Sequence, residues 1–359
     1  MKPLNLVLLF ICLFCNMSCD SDDTEATEPE PIDETIYFPP INSDTWETKT
    51  ISELNWNEDQ LQPLLDFLDA ENSKGFIILH NGKIVVETYF NNHSASTPWY
   101  WASAGKTLTT ALTGIAQQDG LIDINAKVSD YIGTGWTSAP LDKENLITCK
   151  NLLSMNSGLN DGLGDDISAS NLQYLADAGD RWAYHNVYVK LQDVVTSASG
   201  TTWNNYFNTN LKDKIGMTGL WLQNGNFNVY WSNTRSMARF GLLTFADGTW
   251  ENEQIIPENF LNEAINTSQN INQAYGYLWW LNGKTTFRLP QSQVQFNGEL
   301  IPNAPADMYC ALGRDDQKIY VVPSKNLVIV RMGEAADSVN FALSSFDNEL
   351  WSKINALIN

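Results

Sequence analysis

Segments with the signature of β-strands lie near the two ends of this 359-residue chain, and a long stretch of helical pattern separates them. Gly75-Phe76-Ile77-Ile78-Leu79-His80 reads as a strand, Asn81-Gly82 as a tight turn suited to positive φ angles, and Lys83 to Phe90 as the returning strand of a hairpin. The next strand-like segments come only near the end: Tyr275 to Trp280, Asp307 to Leu312, Gln317 to Val322 and Asn326 to Arg331, all short and rich in aromatic or β-branched residues. From Thr107 to about Ile265 the pattern is mostly helical, as in Leu108, Leu112, Ile115 and Ala116 ahead of the Gly120 stop, or in Met237 to Phe245. Asn57 can cap a further helix to about Ala70, whose Leu61, Leu64, Leu65 and Leu68 form one apolar stripe, and Phe341 to Ile358 reads as a closing amphipathic helix. This order predicts an α+β fold. One antiparallel sheet is assembled from residues of about 50–100 and 270–359, terminal helices cover one face, and a mostly helical lobe of about 107–268 is inserted between the strands.

With 43% hydrophobic and 18% charged residues the chain is an ordinary globular protein, too apolar for a disordered one. Its 21 basic against 42 acidic residues give a net charge of −21, which repels a polyphosphate backbone and excludes nucleic acid as a partner.

The charge is unevenly spread. Lys2 precedes an apolar run from Leu4 to Cys15, too short for a permanent membrane span, which reads as an export signal. Met17-Ser18-Cys19-Asp20 resembles a bacterial lipoprotein cleavage site, although Asn16 stands where an aliphatic residue is usual. The resemblance implies removal of residues 1–18, lipidation of Cys19 and an extracytoplasmic protein anchored by lipid to a bacterial membrane, the outer one in the first instance. Asp20 to Glu34 holds eight acidic and no basic residues, so residues 19–45 read as a solvated tether to a domain of residues 46–359. An acidic run after the lipidated cysteine also resembles the surface-export signals of Bacteroidetes lipoproteins. Besides Cys19, only Cys149 and Cys310 would then remain; both sit in apolar contexts and are expected to be buried free thiols rather than part of a disulfide framework.

No HExxH, mature-chain CxxC, Walker or GxGxxG pattern occurs, so neither a metal nor a nucleotide cofactor is expected, and the absence of GxSxG disfavours an α/β-hydrolase elbow. What stands out is Ser103-Ala104-Gly105-Lys106 directly before a helical pattern; Ser103 is the only serine followed three residues later by lysine. Positions i and i+3 of a first helical turn share a face, so the Lys106 ammonium can reach Ser103 Oγ, and a serine hydroxyl needs such a neighbour to become a nucleophile.

Trp101-Ala102-Ser103-Ala104-Gly105-Lys106-Thr107, Gln118-Asp119-Gly120-Leu121-Ile122-Asp123 and Ile147 to Leu159 resemble consecutive blocks of the serine β-lactamase and penicillin-binding-protein superfamily, nearest to its class C-like carboxylesterases and nylon-oligomer hydrolases. The likeness continues through Trp182-Ala183-Tyr184-His185-Asn186, Met237 to Gly241 and Tyr275 to Trp280, and covers the chain from about Tyr37 onward. It implies a β-lactamase/transpeptidase-like fold and hydrolysis of a small ester, amide or peptide through an acyl-enzyme on Ser103. Of three Tyr-x-Asn matches, Tyr89/Asn91 lies on the hairpin and Tyr206/Asn208 in a helical stretch; Tyr184/Asn186 has the family-like distance and position. The resemblance assigns Tyr184 the phenol that exchanges protons with Ser103, and Asn186 the orientation of Lys106 or of the substrate carbonyl; His185 is structural. The family's Lys-Thr-Gly or His-x-Gly is absent, and the aligned segment is Ala311-Leu312-Gly313-Arg314. There Gly313 would keep the strand slim beside the substrate, the amides of Arg314 and Ser103 would form the oxyanion hole, and the Arg314 guanidinium could hold a carboxylate. Without the motif lysine, an esterase or small linear amidase ranks above a β-lactamase or D-Ala-directed peptidase; a catalytically silent lipoprotein that binds peptidoglycan fragments or glycans is the rival of another class. Of the thirteen tryptophans, Trp46, Trp136 and Trp351 read as packing, whereas Trp101, Trp182, Trp279 and Trp280 are candidate cleft liners. Asp161, Asp165 and Asp166 lack calcium-loop spacing and read as a solvated loop.

Cys19→Ala should release the protein from membranes into soluble fractions. A wild-type protein that is already soluble and begins at another residue would refute the lipid anchor.

Overall fold

The computed structural model describes residues 35–225, 227–336, 343 and 345–359. Helix α1 (Leu61–Ala70) leads into β1 (Ser73–His80) and β2 (Lys83–Tyr89), which turn at Asn81 and Gly82 with φ of 46° and 81°. The short strand β3 (Trp99–Tyr100) precedes α2 (Lys106–Gln118). After further helices, among them α3 (Lys190–Ser199) and α4 (Trp203–Phe207), come the strands β4 (Leu220–Asn224) and β5 (Phe227–Ser232), and then α5 (Thr234–Phe245). The chain closes with β6 (Trp280–Leu281), β7 (Tyr309–Gly313), β8 (Gln317–Val322), β9 (Leu327–Gly333) and α6 (Ser345–Ile358).

The two chain ends meet as the strand pattern predicts. Six strands form one sheet in the order β2-β1-β9-β8-β7-β6, and every neighbouring pair is antiparallel. The joint is β1 against β9, where Ile77 faces Val330 and Ile78 faces Ile329. Helices α1 and α6 lie together on the sheet, with the Phe67 and Phe346 rings stacked at 5.6 Å and Trp351 edge-on to Tyr320. Helix α5 packs on β9, β8 and β1. The central strands are therefore buried throughout, which is why β8 and β9 read as continuous apolar runs rather than as alternating ones.

Buried charges tie this sheet to α6. Lys318 Nζ lies 2.8 Å from Asp347 Oδ2 and 3.0 Å from Asp316 Oδ1, all three side chains being inaccessible or nearly so, and the Tyr320 hydroxyl donates to Asp347 Oδ1 at 2.6 Å. The buried Arg331 guanidinium donates to the carbonyls of Asp315 (3.1 Å), Asp316 (3.0 Å), Glu71 (2.6 Å) and Glu334 (3.0 Å). It thereby grips the turn between β7 and β8, where Asp315 and Asp316 hold the left-handed φ values of 58° and 60°.

Several local expectations are corrected. The stripe helix begins at Leu61 rather than after Asn57, because Glu58–Gln60 forms a separate 3₁₀ turn and Asn57 makes no side-chain cap. Tyr275 to Trp280 is not a strand; only Trp280–Leu281 joins the sheet. The expected helical lobe contains a β-hairpin through Gly225, which with β3, just ahead of the lobe, forms a second sheet in the order β3-β5-β4. Residues 35–45, expected to belong to a solvated tether, are held against the domain instead. Arg239 donates to the carbonyls of Pro39 (3.2 Å), Pro40 (2.9 Å) and Ser43 (3.3 Å), and Tyr37 N to Asn81 O (2.9 Å), so the segment from Thr35 is fastened to the domain. The expected signal, Cys19 and the start of the closing helix at Phe341 lie outside the described residues. Cys149 and Cys310 are both buried free thiols, and burial pushes the Cys149 thiol up to about 12.

Replacing Lys318 by Met leaves buried carboxylates without their ammonium, and breaking a buried pair in this way costs roughly 3–5 kcal/mol. Urea unfolding should show a loss of that order, against less than about 0.5 kcal/mol for Lys353→Met on the exposed side of α6.

Candidate active site

The turn carrying Ser103 is held from both sides. Strand β3 pairs with β5, the Trp101 amide donates to Tyr230 O at 2.9 Å, and Trp101 Nε1 donates to Ser232 Oγ at 2.7 Å. Ala102 then takes the left-handed φ of 46°, uncommon for a residue with a β-carbon, and the 3₁₀ turn Ala102–Gly105 runs into α2. Strand β7 closes on this turn at Gly313, where a β-carbon would sit 2.5 Å from Trp101 O and 3.0 Å from the Ala104 amide nitrogen. The glycine thus makes room for the serine turn itself.

In a 3₁₀ turn residues three apart eclipse one another, which places Lys106 Nζ 2.6 Å from Ser103 Oγ. Lys106 is 2% exposed, its ammonium lying 5.0 Å from the ring centre of Tyr184 and 4.7 Å from that of Tyr188, and 3.4 Å from Asn186 Oδ1. Burial lowers its pKa to about 7, the nearby Asp165 carboxylate acting in the opposite sense. Burial also pushes the Tyr184 phenol up to about 12, with the interaction with Ser103 pulling it partly back. Near neutral pH the lysine is therefore available as an amine while the tyrosine keeps its proton. His185, between Tyr184 and Asn186, is held down to about 4 by burial and by the charges of Lys106 and Arg181, so it stays neutral.

The structure brings Ser103, Lys106, Tyr184, Asn186, Gly313 and Arg314 into one neighbourhood and leaves the other two Tyr-x-Asn matches outside it. Tyr89 donates to Glu87 Oε1 at 2.5 Å on β2, and Tyr206 to Asp119 Oδ2 at 3.3 Å. Ser103, Lys106, Asn186 and Arg314 open onto a cavity of about 580 Å³. The Arg314 side chain is 64% exposed there, with Nε 4.0 Å from Asp315 Oδ1.

The four candidate cleft tryptophans do not line this cavity. Trp101, Trp182, Trp279 and Trp280 are each at most 1% exposed. Trp182 and Trp280 pack at 5.9 and 5.7 Å against the Tyr184 ring, so these large rings support the phenol from behind instead of meeting a substrate. The aromatic walls are Tyr100, Tyr188, Phe227 and Trp231, which the sequence reading missed. Tyr188 lies one helical turn's spacing from Tyr184, and Asn224-Gly225 between aromatic and β-branched residues is the same hairpin signal as Asn81-Gly82. The acidic loop is also more than solvated: Asp161 is buried and paired with Arg181 at 2.6 Å, and Asp165 reaches the cavity mouth. Among the described residues no group of three or more His, Cys, Asp or Glu side chains is placed to hold a metal ion.

A seryl hydroxyl against a desolvated lysine, on a turn wedged between an antiparallel sheet and a helical lobe, defines the class of serine hydrolases with a penicillin-binding-protein-like fold. The family model for beta-lactamase matches residues 71–343, and the chain belongs to that family. An uncharacterized protein of Alkalihalophilus pseudofirmus is 26% identical over 306 residues, 74% of this chain and 84% of that protein. Among solved structures, a protein of Bacillus anthracis described as a 6-aminohexanoate-dimer hydrolase superposes with a TM-score of 0.67 at 18% identity, covering 89% of each chain. One from Bacteroides dorei described as a beta-lactamase gives a TM-score of 0.67 at 14% identity over 85% of this chain and 99% of its own. A penicillin-binding-protein homologue from Pyrococcus abyssi gives 0.60 at 12% identity over 83% and 77%. At these identities the superpositions establish the shared fold.

Protonation of Lys106 should switch the serine off. The rate at which a neutral fluorophosphonate labels Ser103 should fall on the acid side through about pH 7. Asp165→Asn removes a carboxylate that favours the ammonium form, so it should move that limb to lower pH. An unmoved limb would show that Asp165 does not act on Lys106.

Proposed function

We propose that this protein is an extracytoplasmic, lipid-anchored serine hydrolase that splits an ester or small linear amide through an acyl-enzyme on Ser103. The observation that carries the reading is the 2.6 Å approach of Lys106 Nζ to Ser103 Oγ with the lysine buried and its pKa lowered to about 7. In acylation, neutral Lys106 takes the Ser103 proton as Oγ attacks the carbonyl carbon. The amides of Ser103 and Arg314 stabilise the oxyanion. Tyr184, protonated at neutral pH, donates to the departing alkoxide or amine as the C–O or C–N bond breaks, and regains its proton from Lys106 through the shared Ser103 neighbourhood. Water then attacks the acyl carbon and gives its proton to neutral Lys106, and the resulting ammonium returns that proton to Ser103 Oγ as the acyl–Oγ bond breaks, which restores both groups. This reading makes Lys106 the base and Tyr184 the acid, instead of having the phenol take the serine proton first.

Substrate choice follows from charge. The cavity offers no motif lysine for a carboxylate: Lys318, on the neighbouring strand, is buried in its pairs with Asp316 and Asp347. Asp165 and Asp315 stand at the cavity and oppose an anion. Esters and linear amides without a carboxylate therefore rank first. The exposed Arg314 guanidinium favours β-lactamase or D-Ala-directed activity as the second reading.

Purified protein should label on Ser103 with a fluorophosphonate, Ser103→Ala should abolish labelling without shifting the thermal midpoint, and short esters should be turned over with kcat/KM well above that for nitrocefin. Tyr184→Phe should lower kcat/KM by about 10²- to 10⁴-fold, Lys106→Met at least as much, and Tyr89→Phe or Tyr206→Phe only a few-fold. Absence of labelling in folded protein would favour the catalytically silent binding lipoprotein, and a crippled Tyr206→Phe would move the second motif to the other segment.

A further inference from the structure

The hairpin β4–β5 breaks the usual rule for a two-faced strand pair. Its inner face, Trp221 and Tyr230, is buried against Trp203 and Phe207 at ring distances of 5.0–5.7 Å. An outer face meeting water should then be polar. Instead the register places Leu220 beside Trp231 and Leu222 beside Val229 on that face, with Phe227 next along the same strand. Leu220 and Leu222 are 54% and 44% exposed. Leu222, Phe227, Val229 and Trp231 all line the cavity that holds Ser103, and Leu220 extends the strip beyond it.

The strip is also fixed relative to the nucleophile. Trp231 packs on Tyr100 at 5.4 Å, and the bond from the Trp101 amide to Tyr230 O ties the hairpin to the segment just after the strand that ends three residues before Ser103. A contiguous apolar surface running into a reactive cavity marks a ligand groove.

Resting on the serine-hydrolase reading above, we infer that this outer face binds a flexible apolar chain carried by the substrate beside its scissile bond. The polar floor, Lys106 and Asn186, serves the reacting carbonyl; the hairpin supplies selectivity by chain length. A free ester in solution leaves that chain in water, and each methylene laid on the strip leaves it. Burying one methylene corresponds to about a fourfold gain in kcat/KM.

Two series test this on the full-length protein: p-nitrophenyl esters from acetate to octanoate, which lengthen the acyl side, and alkyl acetates from methyl to hexyl, which lengthen the alcohol side. At least one series should climb by about threefold or more per methylene over its first four members. The double variant Leu222→Gln, Val229→Thr should cut the ratio of longest to shortest substrate in that series by at least tenfold, with its thermal midpoint confirming the fold. Flat profiles in both series, or a climb that survives in the folded double variant, would overturn the inference. Ser103 labelling separates the two levels: flat profiles in a protein that labels on Ser103 refute the apolar-chain site alone, whereas absent labelling and absent turnover refute the hydrolase reading beneath it.

Discussion

An ammonium group taken out of water is the constraint on which the site depends. In solution Lys106 would be fully protonated at neutral pH and useless as a base; 2% exposed, among the rings of Tyr184 and Tyr188, it is brought to about 7. That burial requires the neighbouring aromatic mass to be present. The tryptophans behind Tyr184 therefore act on chemistry they never touch, by keeping water away from one nitrogen. The same desolvation moves the phenol the other way, so a single physical cause leaves the amine free of its proton near neutral pH and the phenol with its own, the pair of states that the proposed mechanism uses.

The second requirement is that the strand end beside Ser103 stay in place. Gly313 packs so close to the serine turn that a β-carbon there would overlap it, and Asp315 and Asp316 just beyond adopt left-handed conformations. Arg331 holds them, through their own carbonyls together with those of Glu71 ahead of β1 and Glu334 just after β9. Lys318, Asp316 and Asp347 add the C-terminal helix to the same assembly. The position of the Gly313 strand end beside Ser103 is thus maintained by buried charges of the sheet and its C-terminal helix.

What was legible in the sequence, and what was not, divides along physical lines. The hairpin at Asn81-Gly82, the strands β8 and β9 and the Ser103–Lys106 pair are local signals, and the structure places them as read. The hairpin at Asn224-Gly225 was equally local, yet Leu220-Trp221-Leu222 is apolar on both faces and lacks the alternation that identifies a strand. Tryptophan identity says nothing about which side of a cavity wall the ring occupies, so Trp101, Trp182, Trp279 and Trp280 went to the wrong side. Lys318 and Arg331 inside strands look like solvated charges until Asp347 and the Glu71 carbonyl, far away in sequence, are seen to meet them. The fastening of Pro39, Pro40 and Ser43 by Arg239 is equally non-local: this short stretch carries no sign that its carbonyls will find a buried guanidinium.

The pairing of β1 with β9 also sets an order of events during synthesis. Ser73 and Gly333 are register partners, so the central joint of the sheet closes only after some 260 intervening residues exist. Until then the β1–β2 hairpin has one edge without its neighbour, and the Ser103 turn lacks the Gly313 strand that abuts it. Contacts this distant in sequence slow folding and prolong exposure of an unpaired apolar edge. A chain emerging from a ribosome therefore cannot complete this site by stages: Ser103 is made two-sevenths of the way along, and acquires its surroundings only with the closing strands of the sheet.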